Sequence, residues 1–118
     1  MSSEPHVPRA KFCVLEGPNK GAEVLLVDPP PRPLEGDCIA TIGRGEENDL
    51  QLKDRSVSRE HVRIEYDGHY FWIVDCGSSN GTLVNNERIG RYMLYDGDVV
   101  CMGHVRIQFR AIPPPAGP

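Results

Sequence analysis

The sequence predicts an all-β fold, a two-sheet sandwich or a closed barrel. Three observations carry this. Short apolar or alternating segments follow one another along the chain, separated by turn signals. No segment sustains a 3.6-residue period over three turns. All 11 prolines lie at or before Pro33 or at or after Pro113, so the centre lacks the residue that cannot donate to a strand ladder.

The elements follow in order. Residues 11–16 read as a strand, 17–21 as a turn and 23–27 as a second strand, which together make a hairpin. Residues 29–33, four prolines and an arginine, read as a stiff loop between strands. Residues 38–42 form a third strand ended by Gly43, and 50–52 a short alternating one. Residues 61–66 alternate, Asp67-Gly68 marks a tight turn, and 70–74 run back. Residues 82–84 are brief, and 88–89 can pair back after Asn85-Asn86. Met93-Leu94 precede the turn 96–98, and 99–102 and 105–110 form a last hairpin across Gly103. That makes about ten or eleven short strands, the pattern of a sandwich or barrel.

A length of 118 residues means one domain and excludes large catalytic scaffolds. The expected boundaries are a flexible segment over 1–10, the domain over 11–111, and a Pro-rich tail or linker over 112–118. The tail suggests fused domains. Formal net charge is −4, which argues against nucleic acid as a partner through bulk attraction. The acidic excess lies outside residues 41–63, where five basic and five acidic residues balance. No apolar run is long enough for a membrane span, and the N-terminus lacks the features of a signal peptide. The four cysteines form no CxxC pair and read as reduced thiols serving as small core hydrophobes. A cytoplasmic location is the expectation. Cys101-x-x-His104 falls short of a zinc site, and neither a metal nor a cofactor is expected.

Three polar clusters sit at strand ends or in loops. They are Gly43-Arg44-Gly45, the run from Ser56 to His61 with Lys53 and Arg55 just upstream, and Asp75 to Thr82. Arginine, serine hydroxyls, an asparagine amide and loop N–H groups can surround an oxyanion with donors while approaching a peptide backbone. Composition alone favours the plainer reading of solvated arginines and turn serines. Enzyme motifs are rejected on context. Gly77-x-Ser79-x-Gly81 fits a nucleophile elbow in letters, but a strand-like Thr82-Leu83-Val84 follows it where a helix is required. The glycines at 43 and 45 lack the rest of a dinucleotide or P-loop fingerprint. His61 stands three residues from Ser58 and is better read as a tether for its own loop than as a general base.

The ordered combination resembles the forkhead-associated (FHA) domain. The match runs through Gly43-Arg44, Asn48-Asp49-Leu50-x-Leu52, Val57-Ser58-Arg59-x-His61, Asp75-x-x-Ser78-x-Asn80-Gly81-Thr82-x-Val84-Asn85 and Asp96-Gly97-Asp98-Val99-Val100-x-Met102-Gly103. It covers about residues 11–110, and the opening Leu15-x-Gly17-Pro18-x-x-Gly21 is similar to bacterial members. The resemblance implies an eleven-stranded two-sheet β-sandwich that binds Thr-phosphorylated peptides through loops at one end, without catalysis, in Ser/Thr kinase signalling. It implies that Arg44 and Ser58 bind the phosphate and that Arg59 helps hold it. Ser79, where the family commonly has threonine, would contact the phosphothreonine, and Asn80 would bond the peptide backbone. Gly43, His61 and Gly81 would shape the loops. Residues 45–49 and 76–78 would help set flanking preference, with Glu46 and Glu47 disfavouring acidic flanks. The alternative is a phosphate-independent assembly module of the same fold, for which residues 92–95, Tyr-Met-Leu-Tyr, offer an apolar stretch, although such residues more often pack in a core or loop.

Overall fold

The computed structural model describes residues 7–112, and no helix occurs among them. Eleven strands are present: β1 (Val7–Glu16), β2 (Glu23–Asp28), β3 (Cys38–Gly43), β4 (Leu50–Gln51), β5 (Val62–Tyr66), β6 (Phe71–Asp75), β7 (Thr82–Val84), β8 (Glu87–Ile89), β9 (Arg91–Met93), β10 (Val99–Met102) and β11 (Val105–Ala111). They form a six-stranded sheet, β2-β1-β11-β10-β7-β8, and a five-stranded sheet, β4-β3-β5-β6-β9. Every pairing is antiparallel except β3 with β4.

Alternation decides which face each strand turns inward. Along β11, Val105, Ile107 and Phe109 are buried while Arg106 and Arg110 face solvent. In β5, Val62 and Ile64 are buried on either side of exposed Arg63. The two inner faces meet in one core. Phe12 and Phe109 pair across β1 and β11 with ring centroids 5.5 Å apart, and Phe71 of the facing sheet also lies 5.5 Å from Phe109. Burying each such side chain is worth about 1.5–3 kcal/mol, which is what holds the sheets face to face. The tight turns use the residues that tolerate left-handed backbone: Asn85 and Asn86 both have positive φ between β7 and β8.

Two expectations are corrected. The first strand begins at Val7, so residues 7–10 are not a flexible segment. Pro8 is accommodated because β11 pairs with β1 only as far as Ala10, leaving Pro8 with β2 alone as its sheet neighbour. The rest of the expected N-terminal segment, 1–6, and the tail over 113–118 lie outside the described residues. All four cysteines are free, but only Cys38 is buried, and Cys76 is exposed. The stretch 92–95 packs mostly inward, the more common role of such residues: Leu94 is buried, Tyr92 packs on the core, and Tyr95 alone of the four is exposed. The Pro-rich loop does join β2 to β3. Its Arg32 reaches across to Asp49 with two hydrogen bonds, of 3.1 and 2.8 Å.

At one end of the sandwich β3 and β6 finish and β5 and β11 begin, so the segments after Gly43, before Val62, after Asp75 and around Gly103 all gather there. Residues 10 and 111 pair at the other end.

Candidate functional site

The loops at this end are built by backbone bonds and by buried polar side chains. The Arg44 N–H donates to the Ser58 carbonyl at 2.9 Å, and the Gly45 N–H donates to that of Arg59 at 3.1 Å. This ladder brings the two chains so close that a Cβ on Gly43 would overlap the Arg59 carbonyl oxygen, so position 43 must be glycine. Asn48, buried, donates through Nδ2 to the carbonyls of both Gly45 and Arg59, each at 2.8 Å. The loop before β5 is plugged into the core by Val57 and held in a turn by Asp54, which accepts from the Ser56 N–H and the Ser56 hydroxyl. That hydroxyl also accepts from the His104 N–H at 2.8 Å, so the β10–β11 turn props the loop from below.

His61 is fully buried and joins two loops. Its Nδ1 accepts from the Ser58 N–H at 3.0 Å, and its Nε2 lies 2.9 Å from the Gly81 carbonyl. An acceptor at Nδ1 and a carbonyl opposite Nε2 specify the neutral ring with its proton on Nε2. Burial pushes the His61 pKa below the ordinary value, against the smaller upward pulls of the Gly81 carbonyl and Asp75. Asp75 organises the third loop, accepting from the N–H groups of Gly77 and Ser78 and the hydroxyls of Ser78 and Thr82. Burial raises its pKa, but the bonds from Ser78, Thr82 and Gly77 outweigh burial and hold the carboxyl below its usual value.

These supports expose a polar depression of about 220 Å³, lined by Arg44, Arg55, Ser56, Val57, Ser58, Arg59, Ser79 and Asn80. All five residues expected to contact ligand therefore border one surface. Arg44 Nε donates to the Val57 carbonyl at 2.9 Å, which fixes the guanidinium and leaves its terminal nitrogens uncommitted among the described residues. The Ser58 hydroxyl accepts from the Ser79 N–H at 3.0 Å, so its own proton is directed elsewhere. Asn80 Nδ2 donates to the Ser56 carbonyl at 2.8 Å, leaving one amide hydrogen and Oδ1. Arg59 differs, because its guanidinium is paired with Glu47 at 3.3 Å. The arrangement presents donors to an oxyanion. Among the described residues no group of three or more His, Cys, Asp or Glu side chains is placed to hold a metal.

The family model of the FHA domain matches residues 40–103, more than half of the chain. The protein belongs to the FHA family. FhaA of Mycobacterium tuberculosis, an FHA domain-containing protein, is 44% identical over 76 residues, covering 64% of this chain and 14% of that one. The glycogen accumulation regulator GarA of Mycolicibacterium smegmatis is 37% identical over 100 residues, covering 85% of this chain and 58% of that one. The chain thus spans less than two thirds of the length of either relative. Among solved structures, an FHA domain described for phosphothreonine-dependent FHA domain interactions is 31% identical with a TM-score of 0.74, covering 89% of this chain and 98% of that one.

Within this FHA domain the sequence reading left several supporting roles unassigned. Asn48, Asp54 and Asp75 build the loops, and Arg55 borders the depression as a third arginine. Asp54-Arg55-Ser56 carries the signal of an Asx turn, and Asp75 precedes a glycine–serine loop in the same way. No such local signal marks Asn48, which ties its own loop at Gly45 to a different one at Arg59.

Proposed function

We propose that this FHA domain is a non-catalytic reader of threonine-phosphorylated peptides in Ser/Thr kinase signalling. The observation that carries the reading is the convergence of the Arg44 guanidinium, the Ser58 hydroxyl and the Asn80 amide on one depression. A phosphothreonine brings nearly two negative charges and three acceptor oxygens. Arg44 supplies a fork already oriented by Val57, and Ser58 a hydroxyl whose lone pair is occupied and whose proton is free to donate. Each such bond to a charged group contributes about 1.5–3 kcal/mol. A small site reading a short peptide through such bonds and its backbone contacts is expected to bind at about micromolar affinity, near −8 kcal/mol. Arg59 adds attraction once Glu47 yields it, Ser79 contacts the phosphothreonine, and Asn80 bonds the peptide backbone. Gly43, His61 and Gly81 hold the loops. No cofactor takes part. The partner is a cytoplasmic phosphoprotein, a Ser/Thr kinase or another domain of a longer chain.

The phosphothreonine-dependent interactions named for the 31%-identical FHA structure support the same reading. The test is a calorimetric titration with one peptide sequence in phosphothreonine, phosphoserine and unphosphorylated forms. Binding of the phosphothreonine form is expected at micromolar Kd, with the unphosphorylated form at least a hundredfold weaker. Equal affinity of the phosphorylated and plain peptides would overturn the proposal.

A further inference from the structure

A second cavity of about 360 Å³ lies beside the phosphate depression. Glu47 and Asn48 border it, and both reach Arg59 of the depression, through the ion pair and the Nδ2 bond described above. One extended peptide can therefore cross both. Its apolar walls come from Leu34, Cys38, Val62 and Cys76.

Its polar groups are acceptors once existing pairs are counted. The two cations at its edge are committed elsewhere, Arg32 to Asp49 and Arg63 to Glu65, each pair within 2.9 Å. Glu35 and Glu60 also border it and form no ion pair among the described residues. Asn48 adds a third acceptor. Both close contacts of its Nδ2 are carbonyl oxygens, so the amide orientation is fixed and Oδ1 must be the other atom. That buried Oδ1 has no hydrogen-bond partner among the described residues. A cavity with an aliphatic wall, two unpaired carboxylates and a partnerless amide oxygen fits an alkyl stem ending in a donor-rich cation.

We propose that this cavity holds a lysine or arginine side chain of the bound peptide, so that the domain selects phosphothreonine sequences carrying a base on one flank. The inference rests on the phosphothreonine reading above and narrows its ligand class. The probes are an alanine-flanked phosphothreonine peptide, its unphosphorylated form, and a set with lysine, arginine or glutamate at one flanking position at a time. Each is titrated against the full chain and against Glu60→Lys, Glu35→Lys and Glu87→Lys. Glu87 is exposed and borders neither cavity, so its variant makes the same charge change outside the proposed pocket.

The expected result is one position at which a base gains about tenfold over alanine, or 1.4 kcal/mol. Glu60→Lys or Glu35→Lys should abolish the gain and favour glutamate there, while Glu87→Lys keeps it. If the alanine-flanked phosphopeptide binds and no position prefers a base, the inference falls and the phosphothreonine reading stands. An equal loss in Glu87→Lys assigns the preference to diffuse charge and overturns the cavity. No difference between the alanine-flanked phosphopeptide and its plain form overturns both readings. Thermal melts confirm that the exposed-site variants fold.

Discussion

His61→Ala tests how much of the site depends on one buried ring. The substitution removes the acceptor of the Ser58 N–H and the donor to the Gly81 carbonyl. Gly81 is buried, so its stranded carbonyl costs about 2 kcal/mol, and the half-buried Ser58 N–H about 1 kcal/mol. Replacing an imidazole by a methyl group in a fully buried place adds roughly 1–2 kcal/mol in lost packing. The sum is about 4–5 kcal/mol, a large part of the 5–15 kcal/mol available to a domain of this kind. With a urea slope of about 2 kcal/mol per molar, the unfolding midpoint falls by roughly 2 M. His61→Gln restores a donor toward Gly81 and should recover part of this.

The pH arm has a definite sign. The folded His61 pKa lies below its unfolded value of about 6.5, so below that pH the unfolded chain binds a proton the native chain refuses. The contribution is complete above about pH 6.5 and is lost as pH falls through the folded pKa. Urea midpoints measured for wild type and His61→Ala from neutral to mildly acidic pH should show a downward slope that only the wild type has. A midpoint shift under about 0.5 M, with parallel pH profiles, would refute the assignment of His61 as the tie between the loops.

Other outcomes follow from the same geometry. Arg44→Ala should weaken phosphopeptide binding at least a hundredfold, because about two charge-assisted bonds are lost, while an exposed side chain with one backbone bond leaves the melting temperature within a few degrees. Loss of cooperative unfolding by circular dichroism would make Arg44 structural instead. Gly43→Ala should destabilise by about 2 kcal/mol or more in urea unfolding, because the new methyl meets the Arg59 carbonyl and the two loops must part. Wild-type stability in that variant would mean the close approach is easily relaxed. Asp75→Asn should lower affinity through the Ser78–Asn80 loop while leaving Arg44 in place, read as a calorimetric Kd at neutral pH. Because the folded carboxyl of Asp75 is depressed, the wild-type loop contribution is complete above pH 4 and fades only as pH falls through the folded value.

The strands were legible because burial on one face imposes a two-residue period that the chain carries openly, as in residues 105–110. The start of β1 was less so: Pro8 and Arg9 read as a non-strand segment, and their place beyond the end of β11 is a tertiary fact. Arg44, Ser58 and Asn80 were found through ordered motifs and not through composition, which equally described turns. Asn48 and Glu60 were harder to find. Their value comes from which neighbours are already paired, and ion pairs such as Arg63 with Glu65 belong to the folded sheet. The role of Cys76 also depends on place: a thiol expected in the core instead edges a cavity.

The antiparallel partnership of β1 and β11 sets how the domain can be tethered. Residues 10 and 111 sit side by side, and the loops lie seven strand residues away at about 3.3 Å each, roughly 20 Å along the sandwich. The described chain therefore begins and ends at the end opposite the polar depression. A bulky neighbour fused there is held clear of an arriving phosphoprotein. A flexible arm of the same chain, with a reach of about 5–6 Å times the square root of its length, needs about a dozen residues before it can bend back onto Arg44. Shorter arms leave the site to partners in trans, and longer ones would compete at a local concentration that their length determines.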